Sequence, residues 1–246
     1  MMKRIAAISA LFIFASLLSA IAPALAYSDY SFAAHAAINS DGFARVEEKS
    51  IIVFETPDER TDFEHNLNLG ESTITEWKKF SKNVRFHFAG PITNQRITAR
   101  KEFSLGTNFG SVIVEYDINA SVVNESHRGS RVTVYSLDPS VLAFDRTAGG
   151  ATILGSNILL SIELPADAQV VKVAPTPDRQ EKNVLSWGGP VARKWELVYE
   201  RELPLSGEVS QFFLESYEEA ISLLPLLLIA GFAMLLLFIL VKFRKK

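Results

Sequence analysis

The chain has 246 residues, no cysteine, and 25 Lys and Arg against 28 Asp and Glu, a net charge of −3. Without cysteine, a disulfide scaffold, thiol catalysis and cysteine-ligated zinc are all excluded. The near-balanced charge gives no electrostatic footprint for nucleic acid, so no nucleic-acid partner is expected.

The first 26 residues read as a secretory signal peptide. MMKR supplies a positive start, Ile5 to Ile21 is apolar, Pro23 ends the stretch, and Ala24-Leu25-Ala26 fits a small-x-small cleavage site before Tyr27. The competing reading is an uncleaved N-terminal anchor. Either one places residues 27–206 outside the cell as an exported domain. An exported domain lacking disulfides is held together by core packing alone, which favours a prokaryotic surface protein.

Alternation of apolar and polar residues, the period of half-buried strands, dominates residues 27–206. Two strands meet at Asn39-Ser40-Asp41-Gly42, where Asp-Gly is a hairpin turn signal. Thr56-Pro57-Asp58-Glu59 opens a helix, with Thr56 as N-cap, proline in the first turn and Glu59 completing a capping box. Asp58 and Asp62 share a face of that helix, but acidic residues in first turns are what the helix dipole favours. Glu71 to Phe80 is a second helical piece. VRFHF is expected as a strand with Val84, Phe86 and Phe88 inward and Arg85 and His87 in solvent. SVIVEYDINASVV puts Val112, Val114, Tyr116, Ile118, Ala120 and Val122 on one dry face. Further strands are expected near 95–104, 130–137, 156–163, 168–174 and 183–187, with a single turn at Asp138-Pro139 burying Val141, Leu142 and Phe144. KWELVYER turns Trp195, Leu197 and Tyr199 inward. The expected fold is mainly β: an antiparallel β-sandwich of about ten strands with a small helical insertion, and a break between two domains considered at Ala148-Gly149-Gly150.

After the sandwich, residues 207–220 form an amphipathic stalk with Val209, Phe212, Phe213, Tyr217 and Ala220 along one stripe. Ile221 to Val241 is uncharged for 21 residues, long enough as a helix to span a bilayer. Lys242, Arg244, Lys245 and Lys246 then place a five-residue tail, 242–246, in the cytoplasm. The expected address is the plasma membrane, single-pass, with the bulk of the chain outside. The lipid bilayer is one expected partner, and a membrane-protein partner meeting the stalk or span is another.

No sequence constellation points to catalysis. There is no G-x-S-x-G and no H-E-x-x-H, and His35, His65, His87 and His127 lack metal-ligand spacing. No catalytic residue, metal ligand or cofactor is assigned. Charge is uneven: ten acidic and three basic residues run from Asp41 to Glu76, then Lys78, Lys79, Lys82, Arg85, Arg96, Arg100 and Lys101 follow with no acidic residue between them. These seven form a candidate anion-binding patch for an anionic surface polymer or lipid headgroups, or they face the acidic block. Asn119 and Asn124 head N-x-S sequons and are candidate glycosylation sites. Trp187, in Trp187-Gly188-Gly189-Pro190, is either a plug closing the end of the sandwich or a ligand platform.

INSDGFARVEEKSIIVFE, with LPADAQVVKVAPTPD, NVLSWGGP and WELVYE further on, resembles uncharacterised prokaryotic, often archaeal, predicted membrane proteins. The resemblance implies a signal peptide, an exported β-rich domain and a C-terminal span with a basic tail, and it carries over no functional residue. The expected function is therefore a non-enzymatic surface binding, envelope or complex-assembly subunit. A ligand sensor or accessory subunit signalling through a membrane partner is the alternative, and an ectohydrolase the third.

Overall fold

The computed structural model describes residues 28–70, 73–128 and 131–202. The predicted signal peptide, stalk, span and tail lie outside them. Among the described residues no helix is long and apolar enough to cross a membrane. The chain is mainly β, with several sheets and few helices. It divides into two compact units. The first comprises the described residues up to Val122 with Asp138–Ala166 and Ala174–Trp195; the second comprises the described residues of Val123–Leu137, Asp167–Val173 and Glu196–Glu202.

The first unit is built on a seven-stranded sheet. Its strands are β1 (Ser28–Ile38), β2 (Ala44–Val53), β3 (Ile92–Lys101), β4 (Phe109–Ile118), β9 (Ile158–Glu163), β11 (Arg179–Glu181) and β12 (Val184–Gly188). They lie in the order β11-β12-β9-β1-β2-β4-β3. The β1–β2 turn forms as the Asn-Ser-Asp-Gly cluster predicts: the Asn39 side chain accepts the backbone N–H groups of Asp41 and Phe43, and Gly42 takes φ 78°. The sheet departs from an all-antiparallel reading at one place, since β1 and β9 run parallel. One face is the core. Phe32, Ala34, Ala36 and Ile38 of β1 lie beside Ala44, Val46 and Ile52 of β2 and Val112, Val114, Tyr116 and Ile118 of β4, all buried.

Two helices cover part of that face. α1 (Pro57–Leu69) starts with the predicted capping box, Thr56 accepting from the Glu59 N–H and Glu59 from the Thr56 N–H. α2 (Ile74–Lys78) is shorter than the ten residues the sequence suggested. Phe54, Phe63, Trp77 and Phe80 form one aromatic cluster with ring centroids 5.0–5.6 Å apart. Gly110 makes room for it: a Cβ there would stand 2.8 Å from both Phe54 and Phe63. The Pro139–Val141 turn buries Val141, Leu142 and Phe144 as expected. A small sheet, ordered β13-β8-β7, joins β7 (Asp145–Arg146), β8 (Thr152–Leu154) and β13 (Val191–Arg193). Gly149 and Gly150, considered as a domain break, belong to the β7–β8 turn, where the Thr147 N–H bonds the Ala151 carbonyl at 2.8 Å.

The second unit is a four-stranded sheet, β10-β14-β6-β5, from β5 (Val123–Arg128), β6 (Val132–Leu137), β10 (Gln169–Ala174) and β14 (Glu196–Glu202). Tyr135 and Tyr199 sit opposite each other in the ladder with rings stacked 5.1 Å apart. Arg201 Nε reaches both oxygens of Asp167, at 2.9 and 3.0 Å, and holds that carboxyl below its usual range.

Candidate functional site

The chain between α2 and β3 corrects the sequence reading. VRFHF is not a strand. Only Phe88 makes a bridge, to Leu142. Residues 83–88 cross the core face of the sheet, and His87 is 1% exposed rather than in solvent. The reason lies on β2. Glu48 occupies the inward phase of that strand with Val46 and Ser50, and is itself 1% exposed. Its neighbour on β1 is Ala34, whose small side chain leaves space above the carboxylate. Glu48 Oε1 accepts the His87 backbone N–H at 2.8 Å and the Tyr116 hydroxyl at 2.5 Å; Oε2 stands 3.0 Å from His87 Nδ1. The Tyr116 hydroxyl in turn accepts the Phe88 N–H at 3.2 Å. Burial, and then the Glu48 charge beside it, push the Tyr116 hydroxyl pKa well up. The imidazole lies between the rings of Phe32 and Phe144, 4.4 and 4.8 Å away. Every oxygen of this cluster is engaged and it faces no opening, so it fixes the 83–88 segment and offers nothing to a substrate.

That segment and α2 place the cationic side chains. In WKKFSKNVR, Trp77, Phe80, Ser81, Asn83 and Val84 are buried, so Lys78, Lys79 and Lys82 are turned outward, with Arg85 half-buried. All four line one cleft of about 940 Å³. Lys79 Nζ donates to Asn66 Oδ1 at 3.1 Å, and Arg85 donates to Asp145 Oδ1 at 2.8 Å. Lys78 and Lys82 have no ion pair with a carboxylate among the described residues.

Polar groups and Asp29 lie behind the lysines. Asn83 Nδ2 donates to Asp29 Oδ2 at 3.1 Å, Asn157 Nδ2 to the Asp29 carbonyl at 3.2 Å, and the Asn83 N–H to Ser81 Oγ at 3.0 Å. Burial raises the Asp29 pKa, with Ser81 and Lys82 opposing it. Ammonium groups around a polar recess suit an anion held as a point charge, such as a phosphate, sulfate or carboxylate.

The seven-residue patch predicted from sequence is thus divided. Lys78, Lys79, Lys82 and Arg85 come together; Arg96, Arg100 and Lys101 lie on β3 instead. There Arg96 pairs in register with Glu115, Arg100 contacts Glu102 at 3.5 Å, and Lys101 contacts Glu64 at 2.8 Å. Part of the basic block does face the acidic one. Trp187 belongs to β12 and not to a turn. It is 1% exposed, donates from Nε1 to the Pro175 carbonyl at 2.8 Å and meets Trp195 edge-on at 4.8 Å, so its indole is packed in the interior. Asn119 and Asn124 are both exposed. Among the described residues no group of three His, Asp or Glu could hold a metal ion.

Fold and cleft together define a mainly β protein with a cationic recess. No family model and no curated protein matches the chain. Among solved structures, the folded domain of the Mycobacterium tuberculosis LppM protein, determined by NMR, matches 72% of this chain and 93% of that one, at 13% identity and a TM-score of 0.32. A likeness of that size carries no argument about function.

Proposed function

We propose that the chain is an exported, non-enzymatic binding module whose cleft holds the anionic groups of a surface ligand, either polymer or lipid headgroup, without transforming them. The β domain, with the sandwich architecture expected from its strand count, is carried outside the cell by a C-terminal single span. The observation that supports this reading is the convergence of Lys78, Lys79, Lys82 and Arg85 on one recess, where Lys82 also acts on the Asp29 carboxyl and neither Lys78 nor Lys82 makes a direct ion pair among the described residues. Four cationic groups against the two carboxylates Asp29 and Asp145 at one opening favour a multivalent anion.

The test is binding of long-chain polyphosphate to the full-length protein in neutral detergent, followed by fluorescence anisotropy. Lys78→Glu/Lys82→Glu is expected to weaken binding by about tenfold or more, and added salt to weaken binding by the wild type progressively. Reversal of Arg96, Arg100 and Lys101 is expected to have a much smaller effect, because these residues lie on β3 outside the cleft lining and Arg100 and Lys101 already contact Glu102 and Glu64. Equal weakening by both sets would reject the cleft as the site.

A further inference from the structure

One end of the seven-stranded sheet combines exposed apolar side chains with the cationic cleft. Ser28 pairs with Val53, Val53 with Phe109, and the Glu102 N–H bonds the Phe109 carbonyl. These four residues form a row across β1, β2, β4 and the end of β3, and at about 4.8 Å per strand the row spans roughly 14 Å. Ser28 and Asp29 at one side of it line the cleft.

At the other side the chain turns through Phe103 and Leu105, which are 70% and 42% exposed. The turn is internally bonded: the Leu105 N–H donates to the Glu102 carbonyl at 3.0 Å and the Gly106 N–H to the Phe103 carbonyl at 3.2 Å. It therefore holds both side chains outward. Tyr30, 54% exposed, packs its ring against Phe109 between the two features.

We infer that this end of the first unit docks on the surface of an anionic lipid bilayer. Phe103 and Leu105 enter the interfacial region while Lys78 and Lys82 meet headgroup phosphates. The inference rests on the anion-binding reading of the cleft and commits its ligand to headgroups. Two observations favour a bilayer over a protein partner. The charge is complementary: Lys78, Lys79, Lys82 and Arg85 line the cleft against Asp29 and Asp145, and beside the turn Lys49 engages Glu102 at 3.2 Å, so cations outnumber carboxylates there. The sequence also supplies a bilayer. The predicted span Ile221–Val241 begins nineteen residues beyond Glu202. Aromatic side chains flanked by Lys and Arg are the composition that settles at a lipid–water boundary.

The chain has no cysteine, so a single introduced one can be labelled uniquely. Full-length Phe103→Cys carrying an environment-sensitive fluorophore is reconstituted into phosphatidylcholine vesicles, with or without about one third phosphatidylglycerol. Asp41→Cys, in the turn at the opposite end of β1, is the control. With phosphatidylglycerol the label at 103 is expected to shift to the blue and to be quenched by spin-labelled lipid, while the label at 41 reads water. Lys78→Glu/Lys82→Glu should return the label at 103 to water. A label at 103 that reads water in both vesicles, matches the label at 41, or ignores the charge reversal overturns the proposal. Polyphosphate binding in detergent separates the two readings. Binding without burial of position 103 leaves the cleft standing and rejects docking. Burial without polyphosphate binding upholds docking and assigns the cleft to headgroups alone.

Discussion

Glu48 on β2 and His87, 39 residues later, share a carboxylate–imidazole contact of 3.0 Å in which both side chains are 1% exposed. The same carboxylate also receives the His87 backbone N–H, so it ties down the main chain as well as the ring. A buried carboxylate is costly to desolvate, and three contacts offset that cost here: the Tyr116 hydroxyl, the His87 N–H and the imidazole. Removing it leaves the His87 N–H and the Tyr116 hydroxyl proton buried without that acceptor.

Glu48→Ala is therefore expected to destabilise the protein by about 3 kcal/mol or more, the cost of leaving several buried hydrogen-bonding groups without their acceptor. Glu48→Gln keeps an acceptor for the His87 N–H and the Tyr116 hydroxyl and is expected to lose less, about 1–2 kcal/mol. Urea denaturation of the full chain in neutral detergent measures both. Equal stability of Glu48→Ala and the wild type would mean that the contacts contribute nothing net. The cleft is expected to feel the change too, since Lys82 and Arg85 ride on the segment that Glu48 holds, and polyphosphate affinity should fall in Glu48→Ala under conditions where it is still folded.

Trp187 gives a different pattern. Its indole is 1% exposed and packs on Trp195, away from the lysines. Trp187→Ala is expected to cost about 3–5 kcal/mol through lost contacts and the cavity left behind. Trp187→Phe, which mainly loses the hydrogen bond to the Pro175 carbonyl, is expected to cost about 1–2 kcal/mol. Polyphosphate binding by the folded fraction of either variant should match the wild type. Selective loss of binding with unchanged stability would restore the platform reading.

Much of the sheet was legible because its strands bury one face. On β4, Val112, Val114, Tyr116 and Ile118 are buried as the alternation requires, and on the last strand Leu197 and Tyr199 follow the same rule. The α1 cap was legible because it is a purely local bond pattern. The 83–88 segment misled because burial outside a ladder need not follow a two-residue period: Val84 and Phe88 are buried as the pattern requires, but so is His87. The partner of His87 was signalled on β2: Glu48 stands in phase with Ala44, Val46 and Ile52, a polar residue at a core position that calls for a buried partner. The division of the basic block was not legible in the same way. Lys101 meets Glu64 across 37 positions of sequence, which composition cannot reveal. Nor does strand periodicity indicate that β1 pairs in parallel with β9, since both directions bury the same residues.

Glu102 provides a test by pH. Lys49 Nζ lies 3.2 Å from its carboxylate, Arg100 Nε lies 3.5 Å away, and its side chain is 13% exposed. The Lys49 ammonium is the main cause that lowers its pKa from 4.5 to about 2, with Ser104 Oγ also donating at 3.1 Å. The folded carboxyl therefore gives up its proton more readily than the unfolded one. Its contribution to stability is fully present above about pH 4.5 and is lost as pH falls through the folded value of about 2. Glu102→Gln should accordingly be less stable than the wild type at pH 7, with the difference narrowing steadily below pH 4.5 and vanishing near pH 2. Lys49→Met should reproduce the deficit at pH 7 and shift the window in which the wild type loses stability. Denaturation midpoints measured from pH 7 down to pH 2 compare the three chains, and a gap between wild type and Glu102→Gln that stays constant across that range would show that folding does not lower the carboxyl pKa.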